Sequence, residues 1–245
     1  MKSKRILCIL TGTPPTDPEG AEKFYKWLDD VHIPHLFKFK GIRKATNCRL
    51  ATDLKPMHTT EASYPDFITM FEFESKEAIQ EYAISPERTA ATKYAQSIWP
   101  PEVGAKKLWS VLYQPIKTVE KKTKTKTKGI LFIIAGVPPS DPEDAEKFYK
   151  WVDDVHIPQM LEYKGLRKAT SYRRVTDIKP LHPTDTQYPD HITIFEFESK
   201  EATQEYPASP ERATIREDGI EKWGENVGLP KIWSVLYEPI KILER

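Results

Sequence analysis

The stretch DPEGAEKFYKWLDDVHIPHL, residues 17–36, returns as DPEDAEKFYKWVDDVHIPQM at residues 141–160. Working outward from these two segments, residues 6–117 align with residues 130–241 without a gap, and roughly 60% of the paired positions are identical, so the chain is a tandem duplication. Between the copies lies KTVEKKTKTKTK, residues 117–128. A Lys/Thr alternation has no apolar face to bury and repels itself, which predicts an extended, solvated linker. The expected organisation is a first half over residues 1–117, a linker over 118–128 and a second half over 129–245.

Each copy carries the same order of elements. Arg5 to Leu10 is a short, continuously apolar run, as expected of a strand buried on both faces. Asp17 stands where a helix N-cap should, with Pro18 at the first helical position and Glu19 and Glu22 in the first turn. Ala21, Phe24, Trp27, Leu28 and Val31 recur at intervals of three and four, which predicts a helix with one buried face. Pro34 disfavours the α region at Ile33, so the helix is expected to end or kink there, with His32 in its last turn. Two strands follow, RKATNCRLAT (43–52) and FITMFEFES (67–75), joined by a connection about twice the usual hairpin length. A second helix interrupted at Ser85-Pro86 and a closing strand LWSVLYQPI (108–116), with Trp109, Val111 and Tyr113 on one face, complete the copy. The result is an α+β fold of two ferredoxin-like βαββαβ repeats. Helices on one face of a four-stranded sheet leave the other face apolar and uncovered, so the two sheets are expected to pack against each other.

Composition removes several function classes. Hydrophobic residues make up 39% and charged residues 30%, as in ordinary globular proteins, and 37 Lys and Arg against 36 Asp and Glu leave a net charge of +1. That balance argues for neither a nucleic acid nor a membrane as partner. The two cysteines, Cys8 and Cys48, are too few for a disulfide framework or metal site and read as free, buried thiols in a reducing compartment. The apolar run after the N-terminal MKSKR is too short for a signal peptide, so the expected location is cytoplasmic. The sequence also lacks a phosphate-binding glycine loop, GxSxG, CxxC and HExxH, which removes nucleotide, serine-hydrolase and zincin readings.

The N-terminal strand, the helix ending W-(L/V)-D-D-V-H-I-P, the turn K-G-(I/L)-R-K-A, the F-E-F-E-S strand and the aromatic closing strand resemble the dimeric α+β barrel superfamily, most nearly its EthD-like group. The resemblance covers both copies and misses only the linker. It implies that the usual homodimer is fused into one chain, so that the barrel forms within a monomer, with further association open. It also implies a ligand cleft between sheet and helices in each half, in which a histidine or tyrosine moves a proton, and no cofactor.

His32 and His156 are the leading candidates for that role, each with an aspartate, Asp29 or Asp153, three residues earlier. On one face of a regular helix the carboxylate and the helix C-terminus would raise the imidazole pKa and orient the ring as general acid or base. Tyr25 and Tyr149 lie on the same stripe and would donate to a developing oxyanion. On the long loops, His58 and His182, followed by Tyr64 and Tyr188, would close over a ligand and supply a second acid or base. Trp109 and Trp233 read as core, and at most as pocket walls. Glu72 and Glu196, inside strands, need a cross-sheet Lys or Arg.

His35 has Gln159 as its counterpart, an asymmetry that favours the first half as the working one. His32, His35 and Asp29 make a weak metal set, and no metal is expected. The expected function is a cofactor-independent enzyme that cyclises, isomerises, decarboxylates or cleaves a small aromatic or polyketide-like substrate by histidine acid/base chemistry. The alternatives are a non-catalytic small-ligand-binding or stress-response barrel, and a cofactor-free monooxygenase. Haem binding is the least supported, because no histidine stands out as an axial ligand.

Overall fold

The computed structural model describes residues 5–103, 107–121, 129–228 and 230–245, so most of the Lys/Thr-rich tether, 122–128, lies outside the described residues. The first repeat runs β1 (Ile6–Gly12), α1 (Pro18–Trp27), a π-helical turn (Leu28–His32), α2 (Ile33–Leu36), β2 (Ile42–Leu50), β3 (Phe67–Phe73), α3 (Lys76–Ala83), α4 (Pro86–Ile98) and β4 (Lys107–Glu120). The second repeats it with β5 (Ile130–Gly136), α5 (Pro142–Trp151), a π-helical turn (Val152–His156), α6 (Ile157–Met160), β6 (Leu166–Arg174) and β7 (His191–Phe197). It closes with α7 (Lys200–Glu205), α8 (Pro210–Trp223) and β8 (Lys231–Glu244).

The eight strands form one closed antiparallel barrel in the order β1-β3-β2-β8-β5-β7-β6-β4. Closure depends on the length of β4 and β8. The first part of β4 pairs with β1 of its own repeat, and residues Tyr113 to Glu120 pair with β6 of the other. β8 does the same with β5 and β2. The register shifts at Pro115, which cannot donate to a ladder, and this irregularity marks where β4 passes from one repeat to the other. Residues 118–120, expected in the linker, are therefore strand, because pairing with β6 satisfies backbone groups that a solvated tether would leave to water. Among the described residues the closed barrel leaves no sheet edge to attract another chain.

Alternation along the strands sorts side chains into two populations. Inside the barrel sit Leu7, Ile9, Met70, Val111 and Tyr113 with their second-repeat counterparts, and Trp109 stacks on Trp233 at 4.3 Å and 6° between planes. Outside, each repeat packs its helices over an apolar layer, Phe71, Phe73 and Tyr82 in the first and Phe195, Phe197 and Tyr206 in the second. Each fully buried aromatic ring of this kind contributes roughly 2–3 kcal/mol relative to exposure. Cys8 and Cys48 are free and buried, and burial pushes both thiols well above their usual range. Among the described residues no helix is long and apolar enough to cross a membrane.

The cap at Asp17 follows the sequence reading. The Asp17 carboxylate accepts the Gly20 N–H at 2.7 Å, Asp141 caps α5 alike, and Ser85 and Ser209 cap the helices that begin at their prolines. The helical run that α1 begins does not end at Ile33, however. Ile33 is α-helical (φ −62°, ψ −44°), its N–H donates to Leu28 O five residues back, and the helix continues to Leu36. The extra residue in the turn makes room for the Pro34 ring, and the missing proline N–H falls in the first turn of α2, where its loss costs little.

Candidate functional site

Each repeat encloses a cavity between the outer face of its strands and its helices, about 650 Å³ in the first repeat and about 330 Å³ in the second. Corresponding aromatic side chains wall both: Phe24, Trp27 and Trp99 in one, Phe148, Trp151 and Trp223 in the other. The long loops cross over. His182, from the second repeat, borders the first cavity, and His58, from the first, borders the second. Tyr64 and Tyr188 anchor these crossings. The Ser234 N–H donates to Tyr64 Oη at 2.7 Å and the Ser110 N–H to Tyr188 Oη at 2.8 Å, so each loop is fixed to the closing strand of the opposite repeat.

The π turn governs where the helix histidines point. In a regular α-helix, residues five apart face away from each other, whereas the wider turn keeps them on one side. His32 thus stacks on Trp27 with ring centroids 4.7 Å apart, and His156 lies against Trp151 at 4.9 Å. Both histidines border their cavities. The aspartates assigned to orient them have partners elsewhere. Asp29 accepts from Asn47 at 2.5 Å and from Arg49 at 2.8 Å, and Asp153 faces His191 Nε2 at 3.5 Å. For His156 the expected pairing with Asp153 and the upward pKa shift are corrected on this ground. Burial, followed by repulsion from Lys231, pushes His156 down to about 4, which keeps it neutral, and its Nδ1 has no hydrogen-bond partner. His58 is likewise held at about 4 by burial and by Lys231 and Arg212.

The remaining candidates divide. Tyr149 borders the second cavity, stacked on His191 at 4.7 Å. Tyr25 borders neither cavity and lies under the Arg49 guanidinium at 4.2 Å. His35 packs on Tyr94 outside the first cavity, so it neither enriches that site nor joins Asp29 and His32 around a metal. Trp109, Trp233, Tyr64 and Tyr188 belong to the barrel interior rather than to a cavity wall, because inward alternation along β4 and β8 carries the two tryptophans away from the helices. Glu72 and Glu196 pair across the sheet as expected. Burial pulls Glu196 upward, but Lys168 at 3.3 Å and Arg167 at 2.7 Å hold it below the usual carboxylate range.

The two cavities are not equivalent, and the histidine count runs opposite to the sequence expectation. His191 replaces Phe67, so three histidines, His58, His156 and His191, border the second cavity. Sequence reasoning missed the cations there. Arg212, Arg216 and Lys231 all line it, and burial lowers Lys231 to about 8. A signal was present in the repeated S-P-E-R at Arg88 and Arg212, but nothing in one dimension places that arginine beside residue 231.

The sequence profile of a family described as a domain of unknown function, DUF4286, matches residues 8–97. No curated protein matches the chain in sequence. Among solved structures, the chain is similar to a candidate monooxygenase from Fusobacterium nucleatum (TM-score 0.59, 9% identity, covering 100% of this chain and 96% of that one). It is also similar to a candidate monooxygenase from Lactobacillus acidophilus (TM-score 0.57, 14% identity, 99% and 100% covered) and to an anthrone oxidase-like protein (TM-score 0.57, 12% identity, 100% and 94% covered). At these identities the likeness is one of fold: a closed barrel of the dimeric α+β type with helices outside.

Proposed function

We propose that the protein is a cofactor-independent enzyme acting on small planar aromatic or polyketide-like molecules, with His32 and His156 as its proton-transferring groups. One observation carries this reading: each cavity receives two histidines from different repeats, His32 with His182 and His156 with His58. Two imidazoles approaching from separate elements let a proton leave one substrate atom and return at another, as isomerisation, cyclisation or decarboxylation requires. Burial keeps His156 and His58 in the neutral form, which is the form that accepts a proton. The tryptophan and phenylalanine walls offer faces on which a planar ring stacks. The names of the structural neighbours, candidate monooxygenases and an anthrone oxidase-like protein, fit planar aromatic substrates. We read each repeat as a ferredoxin-like unit, the chain as a self-contained pseudo-dimer of residues 1–117 and 129–245, and the W-(L/V)-D-D-V-H-I-P motif as EthD-like.

A second reading, sequestration of an apolar ligand without chemistry, is favoured by one feature: the His156 imidazole has no carboxylate beside it to raise its basicity. Anthrone in D2O separates these readings, because its benzylic hydrogens exchange when a base removes them. Exchange accelerated by the wild type and lost in the His32→Ala, His156→Ala double variant supports proton transfer. Binding without exchange leaves sequestration, and oxygen uptake with quinone formation leaves oxygenation.

A further inference from the structure

We propose that the second cavity binds an aromatic carboxylate, with the acid group seated among Lys231, Arg212 and Arg216 and the ring against Trp151 and Trp223. This names the charge of the ligand for the function proposed above, but it concerns binding alone and stands whether or not a proton moves.

All three cations border the cavity, and among the described residues no aspartate or glutamate does. Among the described residues none of the three forms an ion pair. Lys231 Nζ donates to the Gly228 carbonyl and Arg212 to the Pro207 carbonyl, both neutral acceptors. The charges acting on Lys231 and on two of the cavity's histidines are positive: Arg212 acts on Lys231, Lys231 and Arg212 on His58, and Lys231 on His156. A buried ammonium surrounded by like charge is costly, and the cost is relieved when an anion enters. A guanidinium matches a carboxylate through paired N–H donors, and an ammonium adds a point charge. The volume, about 330 Å³, suits a one- or two-ring acid.

Among the described residues the first cavity carries one Lys or Arg, Arg88, where the second carries three. Thr92 stands where the second has Arg216. Arg88, the counterpart of Arg212, is committed to the Ala83 carbonyl at 2.6 Å, the Leu181 carbonyl at 3.3 Å and the His182 ring at 3.4 Å.

Isothermal titration of the full chain with 1-naphthoate and with its neutral isostere 1-naphthamide tests the proposal. The acid is expected to bind about tenfold more tightly than the amide, and Lys231→Met to bring the ratio close to one. Arg216→Gln, at an exposed position that leaves the fold intact, is expected to narrow the ratio by about threefold. Equal affinity for the two compounds, no binding of the acid at about millimolar concentration, or a ratio unmoved by both substitutions would overturn it. An acid preference without proton exchange keeps this inference and removes the acid/base reading, and exchange without the preference does the reverse.

Discussion

His156 couples the stability of the protein to pH, and the size of the effect follows from its burial. Its imidazole titrates at about 4 in the folded chain against 6.5 when unperturbed, with burial as the larger cause and Lys231 as the smaller. Between those two values the unfolded chain binds more protons than the folded one, so stability falls as the pH falls through this window and is fully present above it. For this one group the loss at pH 5 is about 2 kcal/mol, rising to a ceiling of about 3 kcal/mol below pH 4. Carboxylates titrate in the same region, so the measurement must be a difference. His156→Phe keeps an aromatic ring against Trp151 and removes the proton. Urea denaturation midpoints of wild type and variant, compared at pH 7.5 and pH 5, should show the wild type losing about 2 kcal/mol more than the variant across the interval. Equal losses in the two proteins would refute the neutral, buried histidine. A wild type that gains stability on acidification relative to the variant would restore the carboxylate-paired imidazole expected from sequence.

Other consequences are open to the same denaturation assay. Tyr64→Phe removes the acceptor of the buried Ser234 N–H, and Tyr188→Phe that of Ser110, so each should cost about 1–3 kcal/mol, with no loss if water replaces the hydroxyl. Trp109→Ala deletes half of the stacked pair at the barrel centre and should cost about 3–5 kcal/mol, a value near zero arguing that the interior is loosely filled. Asp29→Asn leaves the half-buried Arg49 without its counter-charge and should cost about 1–3 kcal/mol, whereas the same change at exposed Asp30 should go unnoticed.

The duplication, the order of elements and the helix cap at Asp17 were all legible in the chain, because each depends on neighbours a few residues apart. Asp17 before Pro18 starts a helix wherever it stands, and a run such as Phe67–Phe73 is a strand by its own alternation and branching. The repeated cavity histidines, His32, His58, His156 and His182, were legible as well, since a residue type at a repeated position is visible in one dimension. Their surroundings were not. Periodicity assumed a regular helix and paired His32 with Asp29, while a π turn seats Pro34, the ring stacks on Trp27 and the aspartate accepts from Arg49 and Asn47.

By itself, then, the sequence determined that there are two copies, what elements each contains and that two helix histidines are repeated. Only tertiary structure decided that His58 serves the second repeat and His182 the first, and that Lys231, Arg212 and Arg216 meet beside His156. The physical reason is barrel closure. β4 and β8 each cross to the opposite repeat, carrying the loop anchors with them, so contacts that define the cavities join residues more than a hundred positions apart, where no local preference reaches.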